Sequence, residues 1–342
     1  MRNNIRTIAE KCKRQHILLK PHFKTHQSED VGLLFREAGV QAITVSSVSM
    51  AAYFADRGWK DITVAFPLNR LEIDDINRLL GKANLQLLVE AEESVRFLEN
   101  NLESEVDIWI KVDTGYHRSG VAVEESQEIL SLARAIHDSP KLRFKGLLTH
   151  AGHSYHVKGK QALEGVFNDT KEKMTALRGM VLDSGIPQVD ISIGDTPTCS
   201  VVDDFSGVDE VRCGNFVYYD LMQYFVGSCK LEHIAAALAC PVVGVYPNRG
   251  EFVLYGGAVH LSKDFCVDDD GSKIFGYVCR LTENGWERPL SGAYVRSLSQ
   301  EHGIVKAPPQ VLEQVHRGDL LAVLPVHSCL TANLMKGETL LI

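Results

Sequence analysis

The 342-residue sequence contains no run of about 18 consecutive apolar residues, so it offers no transmembrane span. It also lacks a basic excess. Lys and Arg number 36 against 44 Asp and Glu, a net charge of −8. That balance excludes a general nucleic-acid or membrane-surface binder, because few cations are spare to neutralise phosphates. The N-terminus, MRNNIRTIAEKCKRQH, is polar and has no signal-peptide core. No CxxC pair occurs among the eight scattered cysteines, which points to reduced thiols and a cytoplasmic setting. Internal repeats, low-complexity tracts and flexible linkers are absent too. What is present is a 45% hydrophobic composition, enough for a large folded core.

From residue 17, β-rich runs alternate with amphipathic helical patterns. The runs are ILLKPHF (17–23), AITVS (42–46), DITVAF (61–66), LQLLV (85–89), DIWIKVD (107–113), FKGLLTH (144–150), VDISI (189–193) and DEVRCGNFV (209–217). Between them, EDVGLLFREAG ends on a glycine suited to a helix C-terminus, and VEESQEILSLARAIHDS carries acids at its start. Eight such runs predict a (β/α)₈ TIM-type barrel over 1–230, with a doubly wound sheet as the alternative. Residues 231–342 read as a smaller, mostly β C-terminal domain, with turns at NRGE and VDDDGSK and no long helical pattern.

Barrel active sites lie at the C-terminal strand ends. Polar residues collect there. Lys24 follows the first run between His22 and His26. Asp113 closes the fifth run, with Arg118 just beyond it. His150 closes the sixth, Gly194, Asp195 and Thr196 follow the seventh, and Arg212, Gly214 and Asn215 lie in the eighth. A lysine there can form a Schiff base with an aldehyde cofactor once its surroundings lower its pKa. The small residues of SIGDTPT and RCGN let backbone N–H groups approach a phosphate. Each group also has a plainer reading: a solvated lysine, a satisfied core histidine at His150, an internal salt bridge from Arg212 to Glu210. Near the C-terminus, His327 and Cys329 stand two apart after an apolar run. In extended chain they would face the same side, and imidazole with thiolate suits zinc.

The segments KPHFKTH, KVDTGYHRSGV, GLLTHAGHSY, SIGDTPT, EVRCGNFVYYD and PVHSCLTANL occur in the order seen in fold-type III pyridoxal-phosphate enzymes. The sequence most resembles their D-threonine aldolase and D-serine dehydratase group, over nearly its whole length. The resemblance implies a lyase acting on D-3-hydroxy amino acids and a homodimer, with no nucleic-acid or membrane partner. It makes Lys24 the cofactor lysine. It puts the cofactor phosphate at Gly194, Asp195, Thr196, Gly214 and Asn215. In related alanine racemases the residues placed like His150 and Arg212 face the cofactor ring and its pyridine nitrogen; Arg118 competes for the latter role. The resemblance also gives His327 and Cys329 a divalent metal beside the substrate, zinc first, with manganese or magnesium as alternatives.

Dehydration and retro-aldol cleavage both remain open. In the second, His153, Tyr155 or His156 is the candidate base at the β-hydroxyl. The rivals are an amino-acid racemase of the same fold and a non-catalytic pyridoxal-phosphate-binding protein. The Thr-Pro strand and Asp-Leu-Asp that relatives carry before the first helix are absent, which implies a late start. The second domain's sheet is then expected to lack a partner strand.

Overall fold

A computed structural model describes residues 1–342. The chain divides into two compact units, Arg2–Phe216 and Val217–Ile342, the second also taking in Met1.

The first unit is the expected (β/α)₈ barrel. Its strands are β1 (Leu18–Leu19), β2 (Ala42–Val45), β3 (Asp61–Pro67), β4 (Asn84–Val89), β5 (Val106–Asp113), β6 (Leu142–Thr149), β7 (Asp190–Ile193) and β8 (Glu210–Val211). All pair in parallel, in the spatial order β1-β8-β7-β6-β5-β4-β3-β2. A short strand, Val121–Ala122, adds to β5. The ring closes between β1 and β2 through a single bridge, His22 to Thr44, where Thr44 N–H donates to Pro21 O at 2.9 Å.

Helices follow the strands because the sequence caps them. Ser28 Oγ accepts from Val31 N–H at the start of the helix Glu29–Glu37, and Ser47 Oγ from Met50 N–H at the start of the helix Val48–Asp56. Glu29 and Asp30 in the first turn of the former and Arg36 in its last complement the helix dipole. Gly39 follows with a φ of +84°, the left-handed stop the glycine suggested.

The lower barrel interior is polar and fully paired. Lys20, with no exposed surface, donates to Asp61 Oδ1 at 2.6 Å. Gln86 Nε2 donates to the same oxygen, while Gln86 Oε1 accepts from Thr63 Oγ1 and Trp109 Nε1. A buried charge survives only when paired in this way.

Two expected strands are shorter than the sequence pattern. The run 17–23 is ladder only at Leu18–Leu19, although Lys20 and His22 N–H still donate to Val211 O and Cys213 O; a 3₁₀ turn, Phe23–Thr25, follows. The run 209–217 is ladder only at Glu210–Val211 and ends in a 3₁₀ turn, Asn215–Val217.

The second unit is a closed antiparallel barrel of six strands: β9 (Leu238–Tyr246), β10 (Glu251–Tyr255), β11 (Gly276–Thr282), β12 (Gly285–Leu298), β13 (His302–Lys306) and β14 (Leu320–Pro325). Their order is β9-β10-β13-β12-β11-β14, closing back on β9. Every strand therefore has two neighbours, and the expected gap in this sheet does not exist. The turns fall at Pro247–Gly250 and at 268–271, as NRGE and VDDDGSK indicate. The core is built from Cys240, Phe252, Leu254, Val278, Val295 and Val323, each 2% exposed or less. All eight cysteines of the chain are free thiols, and no helix is long and apolar enough to cross a membrane.

Candidate active site

Lys24 sits exposed in the 3₁₀ turn directly after β1. Two features fix that turn. His22 N–H donates to Cys213 O at 3.1 Å, tying it to the loop after β8. His22 Nδ1 accepts from Lys24 N–H at 3.4 Å. The loop can come this close only because residue 214 is glycine. A Cβ on Gly214 would lie 2.6 Å from His22 O and 3.0 Å from Thr25 Oγ1. Lys24 is therefore accessible at its amine and held at its backbone.

The rim around it is rich in cations. Burial first, then Lys24 and Arg212, hold the His22 imidazole well below its ordinary pKa; His150 and Arg118 act in the same sense. Burial and Arg118 do the same to His150, with Lys24 and Lys111 adding to the effect against the ring's hydrogen bond to the Gly194 carbonyl, which opposes it. Lys111 is itself brought down to about 8, by burial and then Arg212. Both histidines are thus neutral rings among four positive side chains.

Their hydrogen bonds set what they present. His150 Nδ1 meets Gly194 O, a pure acceptor, so the proton lies on Nδ1 and Nε2 keeps its lone pair. Tyr116 stands edge-on to His150 at 5.8 Å. Arg212 is buried; Nε donates to Ser192 Oγ at 2.6 Å and an Nη to Thr149 O at 2.7 Å. The plainer reading of Arg212 also holds, since Glu210 Oε1 lies 3.6 Å from its Nε. Burial lowers its pKa to about 10, so it remains a cation at neutral pH. Arg118, by contrast, is exposed, with its guanidinium 5.2 Å from the Tyr116 ring.

Gly194 packs on Arg212, where a Cβ would come within 3.1 Å of the arginine Cβ. Asp195 caps the helix Thr196–Val201. Its Oδ1 accepts from Thr198 N–H and Ser154 Oγ, and its Oδ2 from Thr198 Oγ1. Both oxygens are therefore engaged within the protein. Burial raises its carboxyl to about 6 even so. Thr196 and Asn215 are buried beside these loops. His153, Tyr155 and His156 share a 3₁₀ turn, Gly152–His156; burial and then Lys173 lower the pKa of His153.

In the second unit, His327 and Cys329 lie just beyond β14. His327 has extended backbone and caps the helix Ser328–Leu334, so Cys329 is in the first helical turn rather than in extended chain. The two side chains are nevertheless within hydrogen-bonding reach. Burial opposes protonation of His327, but Cys329, Asp220 and Asp264 together lift it to about 9. No set of three or more His, Cys, Asp or Glu side chains is arranged so that all could hold one metal ion.

Four residues at these sites had no role assigned from sequence. His22 and Lys111 were within reach, standing inside PHFKTH and KVDTG. Asp220 and Asp264 gave no local signal, for their partners lie 108 and 63 residues away.

Comparison with known proteins agrees with this architecture. The family model for the alanine racemase N-terminal domain matches residues 1–221, and that for a putative serine dehydratase domain matches 235–339. The chain is 29% identical to D-threo-3-hydroxyaspartate dehydratase of Delftia sp. (strain HT23), over 97% of this chain and 88% of that one. The solved structure of that enzyme superposes with a TM-score of 0.90, at 28% identity and covering 97% and 89%. A D-serine dehydratase of Dictyostelium discoideum is 28% identical, over 97% and 88%. D-threonine aldolase from Filomicrobium marinum shares the fold, with a TM-score of 0.81 at 20% identity over 97% and 86%. From the match over most of the chain, and from the barrel that underlies it, the protein belongs to the alanine racemase N-terminal domain family, here joined to a serine dehydratase-type domain.

Proposed function

We propose that the protein is a pyridoxal-phosphate- and divalent-metal-dependent lyase that acts on D-amino acids carrying a β-hydroxyl, of the D-serine dehydratase or D-threonine aldolase type. One observation carries the reading: Lys24, Lys111, Arg118 and Arg212 surround two neutral histidines on one barrel rim. Such a concentration of positive charge fits an anionic group, and a phosphate with an aldehyde meets both the cations and the accessible lysine. The dehydratases and aldolases among the relatives support the same class.

Lys24 Nζ would anchor the cofactor. Gly194, Thr196, Gly214 and Asn215 would hold its phosphate, with Asp195 fixing the first of these loops through its cap. His150 would face the ring. Arg212, fixed by Ser192 and Thr149, is assigned to the pyridine nitrogen ahead of the exposed Arg118. In the second unit His327 and Cys329 would hold the metal, zinc by their donor chemistry, with manganese or magnesium as harder alternatives. When bound, the cofactor supplies an electron sink at Cα and the metal a Lewis acid for the β-oxygen.

The chain's own groups do the proton work. On the dehydratase route Lys24 Nζ receives the α-proton. On the aldolase route a base is needed at the β-hydroxyl; His153 suits it, since its lowered pKa keeps it neutral. His150 donates to Gly194 and stays uncharged, so it adds no further positive charge to the rim. A homodimer and a cytoplasmic setting accompany this reading.

Product analysis with D-serine, D-threonine and D-threo-3-hydroxyaspartate tests it. Keto acid with ammonia, or glycine with an aldehyde, is expected from D-substrates alone. Borohydride should fix the cofactor on Lys24. Interconversion of alanine enantiomers without lyase products would replace this reading with a racemase.

A further inference from the structure

The group around His327 contains one residue beyond the two candidate ligands. Asp264 lies in the loop after the short helix Ala258–Leu261, its N–H donating to Ser262 Oγ at 3.2 Å. Its Oδ2 is 2.7 Å from His327 Nδ1. An ionised carboxylate can only accept, so the Nδ1 proton is held on Asp264, and the proton a metal displaces is the one on Nε2. Cys329 reaches the same ring. Asp220 is also close, but Oδ1 is taken by Gln223 N–H and Oδ2 by Ser328, which leaves Asp264 as the carboxylate that touches the imidazole.

Stability gives this contact little purpose. The His327 side chain is 32% exposed and that of Asp264 is 41% exposed. An ion pair at that exposure adds little to stability. Orientation is the larger effect. A ligating histidine whose other nitrogen is bound to a carboxylate is fixed in one tautomer and one ring direction, and loss of such a partner weakens metal binding about 10–100-fold.

We propose that Asp264 is a positioning residue: it holds His327 as the Nδ1–H tautomer and turns Nε2, together with Cys329 Sγ, toward a divalent cation of the zinc class. The inference rests on the reading of His327 and Cys329 as a metal pair.

The test is zinc affinity, measured on the full-length, metal-stripped protein by competition with a chromophoric chelator. The wild type, Asp264→Ala, Asp264→Asn, His327→Ala and Cys329→Ala are compared, with melting temperatures of the metal-free forms alongside. Asp264→Ala should bind zinc about 10–100-fold more weakly at an unchanged metal-free melting temperature. Asp264→Asn should recover most of the loss, because its amide oxygen still accepts from Nδ1–H. If His327→Ala and Cys329→Ala bind zinc as the wild type does, the metal pair itself falls. If those two lose zinc while Asp264→Ala keeps wild-type affinity, only the role of Asp264 falls. Equal losses in Asn and Ala, or a drop in melting temperature without a change in affinity, would likewise overturn the positioning role.

Discussion

Asp220 and Ser328, 108 residues apart in sequence, meet at one carboxylate oxygen: Asp220 Oδ2 accepts from both the N–H and the hydroxyl of Ser328, at 3.0 and 3.2 Å. Ser328 is the residue between His327 and Cys329, so this contact pins the turn that presents both. Asp220 is 1% exposed, and its Oδ1 also caps the helix Leu221–Val226 by accepting from Gln223 N–H. Asp220→Ala leaves these donors buried without their acceptor, at about 1–3 kcal/mol for each group left unsatisfied. Urea denaturation should show a loss of a few kcal/mol, and zinc affinity should fall with it. A variant as stable as the wild type would show that the turn is held by other contacts.

Gly214 offers a comparable test on the barrel rim. An added Cβ would lie 2.6 Å from His22 O and 2.9 Å from His22 Cβ, so Gly214→Ala must push the β8 loop off the turn that carries Lys24. Overpacking of this kind costs about 1–3 kcal/mol. The expected outcome is lower cofactor affinity with the barrel still folded. Gly165→Ala is the control: it lies in the helix Lys160–Asp183 with nothing within 4 Å of a new Cβ. It should gain roughly 0.5–1 kcal/mol and leave cofactor binding alone.

These two positions show how much the sequence makes legible. The eight β-rich runs and intervening helical patterns locate every barrel strand, because buried parallel strands are dense in Val, Ile and Leu. Strand length is less legible, as in β1, where a seven-residue β-rich run forms only a two-residue ladder before the turn that carries Lys24. At the C-terminus, the i, i+2 spacing of His327 and Cys329 suggested extended chain, yet the two side chains meet across a helix start. Local pattern names the pair there but misses the geometry. Asp264 is wholly illegible, since an aspartate in SKDFC looks like any solvated loop acid until the fold brings it to His327.

His26, the second histidine flanking Lys24, predicts an acid-sensitive barrel. It is 5% exposed and packs against Phe23 at 4.4 Å, Phe35 at 5.7 Å and Phe54 at 6.2 Å. Its Nδ1 accepts from Ser28 N–H at 3.1 Å, and its Nε2 has no partner. Burial pushes its pKa from 6.5 down to about 3. Between these values the unfolded chain binds a proton that the folded chain refuses. The stability contribution is therefore complete above pH 6.5 and is lost as pH falls toward 3. Its full size is on the order of 5 kcal/mol, at about 1.36 kcal/mol per pH unit. His26→Gln keeps an acceptor for Ser28 but cannot titrate, so the difference in unfolding free energy between variant and wild type should shrink as the solution is acidified. A difference that stays constant from pH 7 to pH 4 would show that His26 protonates in the folded state.

Metal removal separates a catalytic role for His327 and Cys329 from a structural one. The six-stranded barrel of the second unit closes through its own ladders and is filled by its own apolar core, so its fold needs no metal. Lys24, the proposed cofactor lysine, is on the other unit, and attachment there would need none either. Chelation should therefore abolish lyase turnover while the cofactor's absorbance and the melting temperature stay close to those of the loaded protein. Cys329→Ala should reproduce this state. Cys329→Asp, which replaces a soft donor with a hard one, should shift the metal that best restores turnover from zinc toward manganese. A structural metal predicts the opposite pattern, with the melting temperature and bound cofactor falling together on chelation. A Cys329→Ala variant that retains most of its turnover, in protein free of metal by elemental analysis, would leave Cys329 a plain thiol and remove the metal from the reaction.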